Sequence, residues 1–196
     1  MAILVHGGGW TSGDKETDIV PVFALVATNF CWFTINYRLA PTNRWPACFE
    51  DVQTAVRWVK RHAAEFKGNP NRIALLGYSA SGQLALLAAM SATTGTPVQA
   101  VVGLAPPTDL VADAQHRGGL ENWFSMTNLL GWEFLDDETV AYNLTQNFQA
   151  RLQAAGFACD LLMLTNVQHR LADWEKFDPN FPAKIIRWLN EKLPAK

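Results

Sequence analysis

The stretch Gly77-Tyr78-Ser79-Ala80-Ser81-Gly82 follows the apolar run Ile73–Leu76 and precedes a helical pattern that opens at Gln83. A serine placed between a buried strand and a helix lies on a tight turn, where the helix N-terminus supplies unpaired N–H groups and a positive dipole end. This order of strand, serine turn and helix is typical of a nucleophile elbow. The stretch departs from the pattern G-x-S-x-G because Ser81 stands at the last glycine position. A Gly- and Ser-rich turn without chemistry is the alternative interpretation.

Short apolar runs, each about the length of a buried strand, recur along the chain. They are Ala2–Val5, Cys31–Asn36, Ile73–Leu76, Val98–Leu104 and Asp160–Thr165. Helical patterns separate most of these runs: they cover Pro46–Phe66, the residues from Ser79 to Met90, Asn143–Ala155, and a last segment carrying Ile185, Leu189 and Leu193. Strands that alternate with helices predict an α/β fold, with a parallel sheet covered on both faces.

The composition is that of one globular domain. The chain has 196 residues, of which 49% are hydrophobic and 17% charged, enough for one sizeable core and too few for two comfortable domains. We therefore predict a single domain over residues 1–196. Residues 108–138 show no sustained period, and we interpret them as a surface excursion or as a small cap that forms a substrate wall.

Charge and hydropathy exclude several classes of partner. Sixteen basic and eighteen acidic residues give a net charge of -2, so nucleic acid is not expected. No apolar run approaches the ~18 residues of a membrane span, and Met1–Val5 lacks the features of a signal peptide. We expect a cytoplasmic protein, or a secreted one whose leader is absent from this sequence. Cys31, Cys48 and Cys159 are too few and too far apart for a zinc site, and no metal or organic cofactor is expected.

A second glycine-rich segment, His6-Gly7-Gly8-Gly9-Trp10, follows the first predicted strand. Three consecutive glycines let the backbone present N–H groups inward, as in an oxyanion hole. The alternative is a phosphate-binding loop, but no Lys-Ser/Thr follows the glycines as in a P-loop. We interpret His6 as a structural residue that holds the loop through a hydrogen bond.

A serine hydroxyl becomes a good nucleophile when a neutral imidazole takes its proton. Of the four histidines, His169 is the best placed, since it lies just beyond the last predicted strand. His62 falls late on a predicted helix and His116 in the irregular stretch. A lone loop histidine is usually only solvated, so this assignment depends on the serine turn and the glycine loop.

Several motifs in fixed order resemble those of the α/β-hydrolase superfamily, and within it the hormone-sensitive-lipase-like carboxylesterases and their relatives that act on plant-polysaccharide esters. The matching stretches are His6–Trp10, Asn36–Pro41, Trp45–Ala47 with Glu50–Val52, Gly77–Gly82, Ala105–Leu110 and His169–Trp174. The family normally has strands before the His-Gly-Gly-Gly loop. Because that loop begins here at residue six, the resemblance implies either a hydrolase sheet reduced to about six strands or a fragment.

The resemblance also implies the roles of individual residues. Ser79 would be the nucleophile and His169 the base. The oxyanion hole would consist of the N–H groups of Gly8, Gly9 and Ala80. Trp10 and Tyr78 are the expected substrate contacts.

The family pattern is incomplete at the triad acid. Family members carry the acid in an Asp-x-x-Val-Pro pattern before a helix that ends in Ala-Gly. Asp137-Glu-Thr-Val140 has this spacing before the helix that ends at Gly156, although Ala141 replaces the proline. We therefore predict Asp137 as the acid.

Alternatively, Leu135–Val140 resembles a segment that, in close relatives, precedes the strand after which the acid lies. In that case this strand and its acid are missing from the sequence. Asp109, just past the run Val98–Leu104, is the physically reasonable substitute, since an acid beyond the adjacent strand can also reach His169. Asp160 and Asp173 are weaker candidates, because Asp160 begins a predicted strand and Asp173 follows the histidine locally. A chain with no working acid is the third alternative.

Together these features predict a serine carboxylesterase that hydrolyses short-chain or carbohydrate-linked esters, of the acetyl or feruloyl type, through an acyl-enzyme. Two alternatives stay open. One is an amidase or peptidase on the same triad. The other is a weakly active hydrolase-fold protein that binds a small ester-like ligand and lacks a competent acid.

Comparing Asp137→Asn with Asp109→Asn tests the choice of acid. The acid fixes the tautomer of the base and stabilises the imidazolium, so its amide should lower turnover by up to about ten-thousandfold while the fold is kept. We expect this loss in Asp137→Asn alone, measured as kcat on one aryl ester. A loss confined to Asp109→Asn transfers the role to that residue. If both variants stay within a few-fold of wild type, the chain has no triad acid.

Overall fold

The computed structural model describes residues 1–16, 21–116, 129, 142–156, 158–162, 164 and 171–193. Strands and helices alternate through most of this part of the chain. In order they are β1 (Ala2–Val5), α1 (Pro21–Asn29), β2 (Trp32–Ile35), α2 (Ala47–His62) with a 3-10 turn at Ala63–Phe66, β3 (Ala74–Tyr78), α3 (Ala80–Met90), β4 (Ala100–Leu104), α4 (Leu110–His116), α5 (Tyr142–Ala154), a 3-10 helix (Leu171–Lys176) and α6 (Phe181–Lys192).

The four strands form one parallel sheet in the order β2-β1-β3-β4. In the register of β1 with β3, Val5 pairs with Gly77, and Gly77 pairs with Gly103 of β4. Parallel strands end at the same edge of a sheet. The segments that follow β1, β3 and β4 therefore leave the sheet side by side.

Each face of the sheet has its own apolar core because alternate side chains of a strand point to opposite faces. Ile3 and Val5 of β1 belong to one cluster, together with buried residues of α2 and α3. Ala2 and Leu4 belong to the other, which contains residues of α6 and Val26 of α1. β1 is buried along its whole length, as expected for a strand covered on both faces.

Helix α2 shows why the helical predictions succeeded. Val52, Val56 and Val59 recur at helical spacing and are buried, so one stripe of the helix packs on the sheet. The last turn carries Lys60, Arg61 and His62, and positive charge there interacts favourably with the helix dipole. The predicted helices over Pro46–Phe66, Ser79–Met90 and Asn143–Ala155 are all confirmed within a residue or two.

The predicted number of strands, about six, is not reached in the described part of the chain, which contains four. The predicted strand Asp160–Thr165 is wrong where it can be compared, since residues 160–162 and 164 are not in a strand. Side chains from helices bond this segment instead. Gln149 and Gln153 of α5 donate to Cys159 O at 3.0 and 3.1 Å, and Trp188 Nε1 of α6 donates to Asp160 Oδ2 at 2.6 Å.

Two α-helices in the described part of the chain were not predicted from the sequence. One is α1, and the other is α4, which begins inside the stretch 108–138. Within that stretch, residues 117–128 and 130–138 lie outside the described residues, so its function as a cap stays a prediction. None of the helices in the described part of the chain combines the length and hydropathy of a membrane span.

Candidate active site

Ser79 lies on the turn between β3 and α3 with an unusual backbone. Its φ is 57° and its ψ is -125°, a region that costs a non-glycine residue about 1–3 kcal/mol. Two hydrogen bonds hold this conformation: Ser79 N–H donates to Leu104 O at 2.8 Å, and Gln83 N–H donates to Ser79 O at 3.2 Å. The sequence's strand, serine turn and helix are all present, and Ser79 is half-buried at the sheet edge.

The turn is tight enough to require a glycine before the serine. A Cβ on Gly77 would lie 2.2 Å from the Ser81 carbonyl oxygen, closer than any real contact. Gly77 is therefore a steric requirement of the close approach between the end of β3 and the first turn of α3. At the last glycine position of the pattern, the side chain of Ser81 is fully buried.

The loop after β1 folds back on itself at Gly8. The φ values of Gly8, Gly9 and Trp10 are 106°, 58° and 60°. The carbonyl of Gly8 accepts hydrogen bonds from the N–H groups of Thr11 and Ser12 at 3.1 and 3.0 Å. A Cβ on Gly8 would lie 2.2 Å from Ser12 O, so only glycine fits at this point of the turn.

His6 and Tyr37 hold the start of the glycine loop in place. The two rings stack with centroids 4.4 Å apart. His6 Nδ1 lies 2.8 Å from Gly7 O, and since a carbonyl only accepts, Nδ1 carries the hydrogen. Tyr37 Oη lies 3.1 Å from His6 O and 3.3 Å from Gly7 O. These contacts confirm that His6 holds the loop. Its side chain is buried, with 4% of its surface exposed.

The backbone N–H groups predicted to form an oxyanion hole belong to the two segments that follow β1 and β3. Ala80 is the first residue of α3, so its N–H has no carbonyl one turn earlier to bond. Within the described residues, the N–H groups of Gly8 and Gly9 donate to no backbone acceptor. The pairing of Val5 with Gly77 places the glycine loop and the serine turn at the same edge of the sheet.

Tyr78 connects the two segments to the C-terminal part of the chain. A Cβ on Gly7 would lie 3.1 Å from Tyr78 Cδ1, so the tyrosine ring packs against Gly7 at the start of the glycine loop. Its ring also meets Trp174 edge to face, with centroids 6.1 Å apart, and Trp174 meets Phe181 at 5.8 Å. Tyr78 is half-buried, and its predicted contact with substrate is not tested by these contacts.

The side chain of Trp10 lies in the core, where it is 2% exposed. Its carbonyl accepts a hydrogen bond from Ala40 N–H at 2.9 Å, which ties the glycine loop to the segment after β2. The expected substrate contact of Trp10 stays a prediction.

The predicted base and the predicted acid, His169 and Asp137, lie outside the described residues. Asp109 does not, and it caps α4: its Oδ1 accepts from Ala112 N–H at 3.0 Å. Its Oδ2 lies 3.9 Å from Arg151, and the side chain is 40% exposed.

The two weaker candidates for the acid also have cationic or polar partners. Asp160 accepts from Trp188, as described above, and Asp173 pairs with Lys176 at 2.5 Å. The segments that carry Ser79, Ala80 and the glycines thus leave the sheet at one edge, and the roles predicted for these residues and for the acid stay predictions.

One ion pair that the sequence analysis did not identify fixes the loop after β2. Arg38 Nε and Nη2 donate to the carboxylate of Asp51 at 2.8–3.0 Å, and this contact raises the pKa of Arg38. The only sequence signal was that both residues fall in stretches matching the family. Among the described residues, no group of three or more His, Cys, Asp or Glu side chains could hold a metal ion.

Known proteins resemble this chain in sequence and in fold. The BD-FAE family model matches residues 1–147. The probable carboxylic ester hydrolase LipM of Mycobacterium tuberculosis is 41% identical over 88 residues, which cover 44% of this chain and 20% of LipM. The carboxylesterase NlhH of the same organism is 38% identical over 99 residues, which cover 50% of this chain and 31% of NlhH. The matched region spans less than a third of either relative.

A solved structure extends the likeness over nearly the whole chain. It is a truncated form of a carbohydrate esterase from gut microbiota, with a TM-score of 0.83 over 99% of this chain and 86% of that chain. The identity is 19%, so the likeness concerns the fold. It confirms the predicted α/β-hydrolase fold.

Gly8→Ala tests whether the loop must keep its shape for catalysis, with Gly95→Ala as the matched control. Both glycines have a positive φ, but a Cβ on Gly95 would meet only Arg57 Cγ at 3.7 Å. We expect Gly95→Ala to cost about 1–2 kcal/mol of stability and to leave turnover of an aryl acetate unchanged. Gly8→Ala should lower that turnover by about a hundredfold or more because its loop donors are displaced. Near-normal turnover in Gly8→Ala would mean that the loop is not an oxyanion hole.

Proposed function

The chain belongs to the BD-FAE family, and from this premise we propose that it is a serine carboxylesterase. Ser79 is the nucleophile, His169 the base, and the N–H groups of Gly8, Gly9 and Ala80 form the oxyanion hole. The observation that carries the proposal is the strained backbone of Ser79 beside the glycine loop at one edge of the sheet. A non-glycine residue at φ 57° is costly, and a nucleophile elbow is a known use of this strain.

The reaction proceeds in two balanced halves. His169 takes the proton of Ser79 Oγ as that oxygen attacks the ester carbonyl, and the tetrahedral intermediate carries a negative oxygen. The imidazolium then gives its proton to the leaving alcohol as the C–O bond breaks. Water, deprotonated by the same imidazole, attacks the acyl-enzyme. The imidazolium then returns the proton to Ser79 Oγ as the bond between that oxygen and the acyl carbon breaks, which releases the carboxylic acid.

The backbone donors suit this chemistry because they are held in place before the charge develops. The hydrogen bonds of Gly8 O and the stack of His6 on Tyr37 fix the loop. The start of α3 adds the positive end of its dipole next to Ser79. A preorganised donor of this kind contributes about a hundred- to a thousandfold in turnover.

Asp137 completes the triad in this proposal, on the spacing of the family pattern. Asp109 is the rival, and its partners bear on that role. A carboxylate that already caps α4 and lies 3.9 Å from Arg151 would have to exchange these contacts in order to orient His169. The capping contact therefore supports Asp137 over Asp109.

For the substrate, we propose esters with a short acyl group, including acetyl groups linked to carbohydrates. The resembling structure with a TM-score of 0.83 is named a carbohydrate esterase. Residues 108–138 show no sustained period in the sequence, so no long amphipathic helix is expected there to cover a fatty acyl tail. The half-buried ring of Tyr78 offers an apolar wall for a small group.

Ser79→Ala tests the nucleophile, and Ser91→Ala at the other end of α3 is the control. Alanine keeps the Ser79 backbone equally strained, so stability should change little, while ester turnover should fall by about a thousandfold or more. A fluorophosphonate should label wild type and Ser91→Ala on Ser79 and leave Ser79→Ala unlabelled. If Ser79→Ala keeps more than a tenth of the wild-type turnover, Ser79 is not the nucleophile.

A series of aryl esters from acetate to decanoate tests the substrate class. We expect kcat/KM, corrected for the spontaneous hydrolysis of each ester, to be highest for acetate or butyrate. Each buried methylene adds about 0.8 kcal/mol only where the protein offers a wall to receive it. A maximum at ten carbons would contradict the short-chain assignment, and comparable turnover of the matching anilide would indicate an amidase.

A further inference from the structure

The hydroxyl of Ser81 lies where the glycine loop and the serine turn leave the sheet. Its Oγ is 2.7 Å from Val5 O, 2.9 Å from Tyr78 N and 2.9 Å from Tyr78 O. Val5 is the last residue of β1, and Tyr78 is the last residue of β3. A single side chain of α3 therefore contacts the ends of both central strands.

The donors and acceptors at this point can be assigned. Tyr78 N–H donates to Ser81 Oγ, because an amide nitrogen does not accept. The one hydroxyl hydrogen of Ser81 can then point to only one carbonyl, and Val5 O is the nearer of the two. The result is a relay from Tyr78 N–H through the hydroxyl to Val5 O.

This relay occupies the last rung of the ladder between β1 and β3. Ala74 N–H donates to Met1 O at 2.9 Å. Since bonding residues of a parallel strand alternate, a regular ladder would continue by joining Ile3 O with Leu76 N and then Val5 O with Tyr78 N. Ser81 Oγ contacts both groups of that last rung. It therefore fixes the separation of Val5 O and Tyr78 N at the point where the two strands end.

We propose that Ser81 is a positioning residue that fixes the glycine loop at a set distance from Ser79. The proposal rests on the esterase function proposed above. The loop that carries Gly8 and Gly9 begins directly after Val5, and Ser79 directly follows Tyr78, so a change at the relay moves the oxyanion donors relative to the nucleophile. The glycine that the family pattern has at this position cannot supply such a bond.

The test compares Ser81→Ala with Thr96→Val, which removes a similar hydroxyl away from the site. Thr96 is 2% exposed, and its Oγ1 accepts from Thr93 N–H at 2.6 Å and donates to Thr93 O at 2.9 Å. The readouts are thermal unfolding, kcat and KM on an aryl acetate, and the inhibition constant of a trifluoromethyl ketone. This ketone forms a tetrahedral adduct that uses the oxyanion hole.

We expect Ser81→Ala to lower kcat by about ten- to a hundredfold, since misplacement by an ångström can cost a hundredfold, and to change KM by less than about twofold. The ketone should bind more weakly by the same factor as kcat/KM falls, because it resembles the transition state. Thr96→Val should lose thermal stability and keep kcat and ketone affinity. If Ser81→Ala does not fold, Ser81→Gly, which also lacks the hydroxyl, replaces it in the same measurements with the same expected results.

The role of Ser81 fails if the folded variant keeps wild-type kcat and ketone affinity, or if KM rises and kcat does not fall. In either case wild type still turns over ester and is labelled on Ser79, and the esterase proposal stands. If wild type neither turns over ester nor forms the Ser79 adduct, the esterase proposal fails and the role of Ser81 fails with it.

Discussion

The parallel pairing of β1 with β3 is the contact on which the rest of the site depends. It sets Val5 opposite Gly77, and the glycine loop and the serine turn start within two residues of that pair. The register is strongly specified because both faces of the two strands are buried. A slip by one residue would exchange Ile3 and Val5 with Ala2 and Leu4 between the two cores.

The site uses this rigid base to hold strained backbone. Gly8, Gly9, Trp10 and Ser79 all have a positive φ, and each non-glycine residue among them is disfavoured in that conformation. Surrounding contacts stabilise these conformations. Leu104 O accepts a hydrogen bond from Ser79 N–H, and His6 and Tyr37 contact the carbonyls at the start of the glycine loop. The strained backbone that positions these donors lowers the stability of the fold locally. Burial of apolar side chains in the two cores offsets that free-energy cost.

Helices with one apolar stripe were predictable, and segments without a period were not. α2 repeats valines at three and four residues, and its bounds follow from that pattern and from Pro46. α1 is the run Pro21-Val-Phe-Ala-Leu-Val-Ala-Thr-Asn29, in which continuous apolar residues cannot distinguish a helix from a buried strand. The strand prediction for Asp160–Thr165 was wrong for the same reason: its length and hydropathy fit a strand, but α6 bonds the side chain of Asp160 and α5 bonds the carbonyl of the preceding Cys159.

The sequence by itself determined that Ser79 sits on a strand-to-helix turn, that a triple-glycine loop follows another buried strand, and that strands alternate with helices. The α/β-hydrolase fold followed from the resemblance of several ordered motifs to that superfamily. The turn, the loop and the alternation depend on neighbours within a few residues, where spacing dictates turns and helix starts. Only the tertiary structure decided that Ser81 Oγ bonds Val5 O, 76 residues away, and that Tyr37 holds the carbonyls of His6 and Gly7. Such contacts arise from strand order and register, which a local pattern of residues does not encode.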